Sequence, residues 1–306
     1  MRVFLTGANG FIGGAVAVAL IAAGHRVRGL VRSRATAELI AVHGIEAVIG
    51  SLDDTAMLQA EAKTADAVVN AASSDHRGAV EALITALSGS GKPLIHSSGS
   101  SIVADRAMGE PSERIFDEAT AVAPVPEKAA RVSIDQLVLA APGIRSAVLC
   151  NTMIYAHALG PPAQSVQIPA LVRQAKASGV VRYIGRGLNR WSNVHIADVA
   201  ALYVLTLAKA PAGTFMYVES GEESLGEIAE AIAVRLGLGT PQSWSAEEAI
   251  AAWGRNMAVF SLGSNSRVRG KAARGLGWSP TQRSITHWIA NEMTDRACDT
   301  SGVQST

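Results

Sequence analysis

Short runs of β-branched and other apolar residues alternate along the chain with longer stretches whose apolar positions recur at helical spacing. That alternation predicts repeated βαβ units and a parallel sheet. The strands it marks are Arg2 to Thr6, Arg26 to Val31, Ala47 to Gly50, Ala67 to Ala71, Leu94 to Ser97 and Ser146 to Leu149. Helices fill the intervals at Ile12 to Ala23, Thr36 to Val42, Asp54 to Ala60, Arg77 to Ser88 and Glu127 to Ala140. The connection from Ser98 to Pro126 is too long for a simple link and carries Gly109, Pro111, Pro124 and Pro126. Connections of that kind usually line a site.

Beyond Leu149 the alternation breaks at Gly160-Pro161-Pro162 and at Gly179, Gly185 and Gly187. Helices are expected at Pro169 to Ala177, Ile196 to Lys209, Ser224 to Leu236 and Ala246 to Trp253, with a strand at Thr214 to Val218 that returns to the main sheet. The expected division is a core over residues 1–150 rejoined by 193–219, a smaller lobe from 151–192 and 220–295, and a polar tail over 296–306.

The first loop adds chemistry to this pattern. Thr6-Gly7-Ala8-Asn9-Gly10-Phe11-Ile12-Gly13-Gly14 places Gly-x-x-Gly-x-x-Gly between a strand and a helix. One glycine permits the tight turn, the next lets backbone approach a pyrophosphate, and the last lets helix pack on strand. Helix amides and the positive end of the dipole then face the phosphates. The fold class is therefore α/β, a Rossmann-type doubly wound parallel sheet with a smaller, discontinuous substrate-binding lobe. Gly7, Asn9, Gly10, Phe11, Ile12 and Gly13 are the expected cofactor loop.

Specificity is read at the end of the second strand, in Val27-Arg28-Gly29-Leu30-Val31-Arg32-Ser33-Arg34. An acid there would bond the ribose hydroxyls of NAD and repel a 2′-phosphate. The first acid in the chain is Glu38, whereas Arg32 and Arg34 offer guanidinium forks and Ser33 a hydroxyl. NADP(H) is the expected cofactor, with NAD(H) as the alternative, and the same arginines would also suit a solvated loop. Ser51 and Leu52 after the third strand should lie near the adenine. Asn70, Ala71 and Ala72 after the fourth should lie beside the ribose.

Composition narrows the partners. Hydrophobic residues make up 48% and charged ones 17%, and 27 Lys+Arg against 26 Asp+Glu leave a net charge of +1. A compact fold follows, with no global field for nucleic acid or an anionic membrane. Cys150 and Cys298 form no Cys-x-x-Cys spacing, so no metal site is expected, and a reducing, cytoplasmic setting is the simplest reading. Met1 to Leu5 leads straight into the glycine loop without a leader pattern, and the apolar run from Phe11 to Ala23 is too short to span a membrane.

With Thr6-Gly7-Ala8-Asn9-Gly10-Phe11-Ile12-Gly13 and Asn70-Ala71-Ala72, the sequence resembles the extended short-chain dehydrogenases/reductases, nearest their NAD-dependent epimerase/dehydratase branch. His96-Ser97-Ser98-Gly99-Ser100-Ser101 is similar to the family's active-site serine segment, and Glu127-Lys128-Ala129-Ala130 to its lysine-bearing helix. Trp191 to Ala200 resembles its His-x-x-Asp-x-Ala element, and Gly275-Leu276-Gly277-Trp278-Ser279-Pro280 its closing segment. The resemblance implies a small-molecule substrate and a homodimer.

It also implies a tyrosine that exchanges a proton with substrate and a lysine four residues later that lowers its pKa. Lys128 fits the lysine and would bond the nicotinamide ribose, but Pro124 occupies the tyrosine position. The tyrosines are Tyr155, Tyr183, Tyr203 and Tyr217, and none has lysine four residues later. The usual active serine position is Gly99, which leaves Ser98 and Ser100 as candidates to polarise a carbonyl, with Ser98 preferred. Tyr155 and His157, expected to open toward the cleft after the sixth strand, are candidate substitute acids.

The catalytic set read from sequence is Ser98, Ser100, Lys128 and Tyr155, and the function it predicts is an NADP(H)-dependent oxidoreductase for a small, fairly apolar carbonyl, alcohol or imine. Two alternatives stay open. One is a non-catalytic dinucleotide sensor similar to the NmrA-like branch. The other is an epimerase or dehydratase that recycles its nucleotide, with Arg173, Arg182, Arg186 and Arg190 as a candidate diphosphate site.

Overall fold

The structure, a computed structural model, describes residues 1–282 and 284–294. The tail expected over 296–306 and Cys298 lie outside the described residues. The first half runs β1 (Arg2–Thr6), α1 (Phe11–Ala22), β2 (Arg26–Val31), α2 (Arg34–Ala41), β3 (Glu46–Ile49), α3 (Thr55–Thr64), β4 (Ala67–Asn70), α4 (Arg77–Leu87), β5 (Pro93–Gly99), β6 (Phe116–Asp117), α5 (Pro126–Leu139) and β7 (Arg145–Asn151). The second half runs β8 (Met153–Tyr155), α6 (Gln167–Ser178), β9 (Arg182–Ile184), β10 (Arg190–His195), α7 (Ile196–Lys209), β11 (Thr214–Val218) and β12 (Gly221–Ser224). It closes with α8 (Leu225–Leu236), β13 (Gln242–Trp244), α9 (Ala246–Met257), β14 (Val268–Arg269), α10 (Lys271–Gly275) and α11 (Ile285–Asn291).

The main sheet has seven parallel strands in the order β11-β7-β5-β4-β1-β2-β3. Side-chain alternation sorts each strand between two faces. Val3, Leu5, Val69, Ile95 and Leu149 face a core shared with Val16 and Leu20 of α1 and Val199 and Tyr203 of α7. Phe4, Val68, Leu94 and Val148 face the other core, with Leu58, Leu83 and Val138 of α3, α4 and α5. A strand buried on both faces reads as a continuous apolar run, which is why β1, β4 and β7 were visible in sequence. The strand order reverses at β1, which lies between β2 and β4, and the crevice at such a switch point is where these sheets take ligands.

The lobe has its own core. The three-stranded sheet β12-β10-β8 and the pair β13-β9 pack with α6, α8, α9 and α11 around Leu171, Trp191, Ile228 and Trp288. Ser224 and Glu227 form a capping box that starts α8, and Ser245 and Glu248 form another that starts α9, an arrangement that satisfies helix-end donors. Gly254, at φ +76°, breaks the helical path inside α9. At the sheet, Arg145 donates to the carbonyls of Thr206, Leu207 and Ala210 and so closes the C-terminal end of α7. No helix among the described residues is long and apolar enough to cross a membrane.

Candidate active site and cofactor cleft

The glycine loop is shaped by contacts no other residue would allow. Gly7 has φ +77°, and a Cβ on it would stand 2.8 Å from the Ala71 backbone. A Cβ on Gly13 would stand 2.1 Å from the Gly7 carbonyl oxygen, which already accepts the Gly10 amide at 2.9 Å. Gly10 caps α1 without a side chain, and no acid lies in the first turn. The helix end therefore keeps amides and a positive dipole for an anion, so the residues present fit a dinucleotide's pyrophosphate.

A cleft of about 330 Å³ opens beside this loop, lined by Gly7, Asn9, Gly10, Arg32, Ser51, Leu52, Ala71 and Ala72 together with Leu30, Val31 and Gly50. Phe11 and Ile12 form the first turn of α1 and pack on the core beneath. Ser33 caps α2 by accepting the Thr36 amide at 3.2 Å, and exposed Arg34 begins that helix without lining the cleft. Asn70 is buried one layer down, where it accepts from Thr6 Oγ1 at 2.6 Å. The same Thr6 oxygen accepts the amides of Ala71 and Ala72, both at 3.2 Å, and so fixes the backbone that Gly7 abuts.

A second pocket, of about 180 Å³, lies at the C-terminal ends of β5 and β7. Gly99, Ser100, Ser101, Lys128, Asn151 and Thr152 line it from the sheet side, and Gln167, Trp191, Asn256, Met257 and Phe260 are among those that line it from the lobe. Lys128, in the first turn of α5, donates to Asn256 Oδ1 at 3.1 Å and lies 5.4 Å from the Phe260 ring centroid. Burial lowers its pKa, and the nearby Arg131 charge lowers it further. A wider groove of about 560 Å³ on the lobe, lined by Arg173, Trp244 and Trp253, shares Met257 with this pocket.

The pocket gathers two of the four catalytic candidates. Ser100 lines it, although its hydroxyl lies 2.9 Å from Ser266 Oγ and is buried. Ser98 faces away from it and donates to Asp135 Oδ2 at 2.7 Å. Tyr155 does not line it either. Because β8 pairs with β10, Tyr155 sits opposite His195 and packs on its ring and on Trp288 in the lobe core, 1% exposed, its hydroxyl without a partner. Burial carries its pKa up well beyond the ordinary phenol range, the wrong direction for a proton donor near neutrality. His157 Nε2 donates to the Glu292 carbonyl at 3.0 Å, and Asp198 accepts the amides of Thr281 and Gln282. Ser101, Asn151, Asn256 and Phe260 were not singled out from sequence. Ser101 sat in a visible serine run, but nothing in the pattern marked the lobe residues.

The four lobe arginines are divided among separate partners. Arg186 pairs with Glu110, and Arg190 pairs with Glu222. Arg182 lies over the Trp244 ring, and Arg173 donates to Gln164. Among the described residues no group of three or more His, Cys, Asp or Glu could hold a metal ion.

Beneath the pocket, Asn70 Nδ2 meets His96 Nδ1 at 3.0 Å, and His96 Nε2 points at Asp135 Oδ1 across 3.7 Å. Burial pushes Asp135 up to about 7 and His96 down to about 4. Between those values both groups are neutral, so this contact is not an ion pair. Unfolded, Asp titrates near 3.9 and His near 6.5. From about pH 4 to 6.5 the native pair therefore holds one proton, on Asp135, and the unfolded pair holds one, on His96. Their contributions to the pH slope of stability cancel. Relative to wild type, Asp135→Asn is expected to lose stability as pH falls through that window, because only the unfolded histidine takes up a proton. His96→Asn is expected to lose stability as pH rises through it, by on the order of a few kcal/mol. Urea unfolding at intervals across the window measures both slopes, and two variants as flat as each other would refute the assignment.

The sequence profile described as "NAD dependent epimerase/dehydratase family" matches residues 3–217. The chain belongs to that family. An oxidase of Acremonium sp, ucsJ, is 34% identical over 91% of this chain and 92% of its own length. A ketoreductase of Stigmatella aurantiaca, named for 4-hydroxy-2-methyl-3-oxo-4-farnesyl-3,4-dihydroquinoline-1-oxide, is 26% identical over 72% of this chain and 69% of its own. The crystal structure of dTDP-glucose 4,6-dehydratase from Bacillus anthracis in complex with NAD superimposes with a TM-score of 0.75 at 18% identity, covering 95% of this chain and 94% of that one. Membership in the epimerase/dehydratase family accounts for the parallel sheet, the glycine loop and an oxidoreductase-like fold.

Proposed function

We propose that this family member is an NADP(H)-dependent oxidoreductase acting on a carbonyl, alcohol or imine of a small, fairly apolar substrate without the family's tyrosine. The observation that carries it is the convergence of Lys128, Ser100 and Ser101 on a small pocket at the C-terminal ends of β5 and β7, in the same sheet as the strand that leads into the glycine loop. When bound, the nicotinamide dinucleotide supplies or accepts the hydride. Amides of the Gly7 to Gly13 loop would hold its pyrophosphate, Arg32 its 2′-phosphate, and Lys128 its nicotinamide ribose. Phe260, Trp191 and Met257 shield the pocket from water, and Lys128 stabilises negative charge that develops on a substrate oxygen.

The names of two relatives, an oxidase and a ketoreductase, support redox chemistry. A sugar-nucleotide substrate is disfavoured because the lobe arginines that would meet its diphosphate are spread among separate partners. The expected result is faster oxidation of NADPH than of NADH in the presence of some member of an aldehyde, ketone and imine panel, followed by absorbance. Binding of NADPH with no turnover across the panel would instead favour a dinucleotide sensor.

A further inference from the structure

The serine-rich end of β5 presents several hydroxyls, and their partners separate them. Ser97 Oγ is 2.6 Å from Tyr203 Oη, Ser98 donates to Asp135, and Ser100 is buried against Ser266. Ser101 differs. Its Oγ accepts from Arg131 Nη1 at 3.0 Å, and the residue lines the pocket. A guanidinium has no lone pair to offer, so Ser101 must be the acceptor in that bond. Its own hydrogen is therefore directed elsewhere, and the pocket is the open side.

Arg131 is held in place for this. Its Nε and Nη2 donate to the two oxygens of Asp75 at 2.8 and 2.5 Å, a bidentate fork from the loop after β4. Such a fork fixes the plane of the guanidinium. Gly99 leaves the space: a Cβ there would lie 3.2 Å from Arg131 Nη1. The position that resembles the family's usual active serine has thus lost its side chain, and an arginine occupies the room.

We propose that Ser101 is the hydrogen-bond donor to the substrate oxygen, oriented and polarised by Arg131, which acts as a positioning residue. This rests on the reductase reading above and names the group that polarises its carbonyl. The cation beside Oγ disperses the charge that reaches it when Ser101 Oγ–H binds an oxygen gaining electron density. The Ser101 hydroxyl supplies the hydrogen bond to the substrate oxygen from the strand side of the pocket while Lys128 approaches from α5, and the proton that converts the alkoxide left by hydride addition into the alcohol comes from water.

The test uses the full chain and two readouts. Calorimetry on NADPH-loaded protein measures the Kd of carboxamides matched in shape to the aldehydes and ketones that are turned over, since an amide oxygen accepts the same bond and is not reduced. Absorbance measures kcat and KM for those carbonyls. Ser101→Ala is expected to weaken amide binding about tenfold and to lower kcat about a hundredfold, with NADPH affinity unchanged. Ser101→Thr keeps the hydroxyl and is expected to retain both within about fivefold.

Arg131→Gln and Arg131→Leu both lose the Asp75 fork, but only glutamine still has an N–H for Ser101. Amide affinity is expected to be higher in the glutamine variant at equal NADPH affinity. Wild-type turnover that Ser101→Ala leaves intact would overturn this assignment and leave the reductase reading standing. Wild-type protein that binds NADPH and turns over no carbonyl would overturn the reductase reading, and this assignment with it.

Discussion

Gly13→Val is expected to bind NADPH about a thousandfold more weakly than wild type, or not measurably. The glycine's Cα faces the turn so closely that an added Cβ would stand 2.1 Å from the Gly7 carbonyl oxygen and 2.7 Å from its carbon. Neither atom belongs to a flexible side chain, so α1 or the loop must move. Moving either separates the helix amides from the place where Gly7, at φ +77°, brings backbone toward the pyrophosphate. Three hydrogen bonds to a charged phosphate at about 1.5 kcal/mol each account for a factor of this size. Thermal unfolding shows whether the fold survives, and fluorescence titration with NADPH shows whether the cradle does. Gly275→Ala provides the control, since nothing lies within 4 Å of its added Cβ. Near-normal NADPH affinity in Gly13→Val would show that the dinucleotide does not bind at this loop.

Arg32→Glu is expected to lower the preference for NADP over NAD by about a thousandfold. The residue lines the cleft at the C-terminal end of β2, where the ribose of a dinucleotide in this fold would lie. Charge-assisted hydrogen bonds to a 2′-phosphate contribute about 1.5–3 kcal/mol, and a carboxylate in the same place adds repulsion. The same carboxylate can accept from the two ribose hydroxyls of NAD, so NAD affinity is expected to hold or rise. Paired titrations with both nucleotides at fixed ionic strength read the ratio. If the ratio does not move, Arg32 solvates the surface and specificity lies elsewhere. Arg34, exposed and outside the cleft lining, is expected to matter little by the same measure.

The cleft beside the glycine loop was legible in sequence because its determinants are local. Gly7, Gly10 and Gly13 answer to one turn, and Arg32 and Ser51 follow strands whose apolar runs announce their ends. The β1 strand matched its expected bounds, and β7 extended the expected Ser146 to Leu149 outward to Arg145 and Asn151. The short strands β8, β9, β10, β12 and β13 were not anticipated. They have three to six residues each and owe their pairing to distant partners, as when Trp244 of β13 lies beside Ile184 of β9.

The second pocket, at the ends of β5 and β7, was less legible for the same reason. Ser98 and Ser101 look alike in a run of serines. What distinguishes them is Asp135, 37 residues away, and Arg131, 30 residues away. Tyr155 was expected to open toward the cleft because it follows a main-sheet strand. Its own strand, β8, instead pairs with β10, and that register turns the ring into the lobe core.

The separate cores of sheet and lobe divide what the pocket inherits from what it can exchange. Gly99, Ser101, Lys128 and Asn151 line the pocket from the main-sheet side, apart from the residues that line the cleft at the glycine loop. Gln167, Asn256 and Phe260 stand on α6, α9 and the turn that follows α9, whose apolar neighbours belong to the lobe. Under the proposed function, a library confined to those lobe positions is expected to change what the pocket accepts while the main sheet and its glycine loop are carried forward intact.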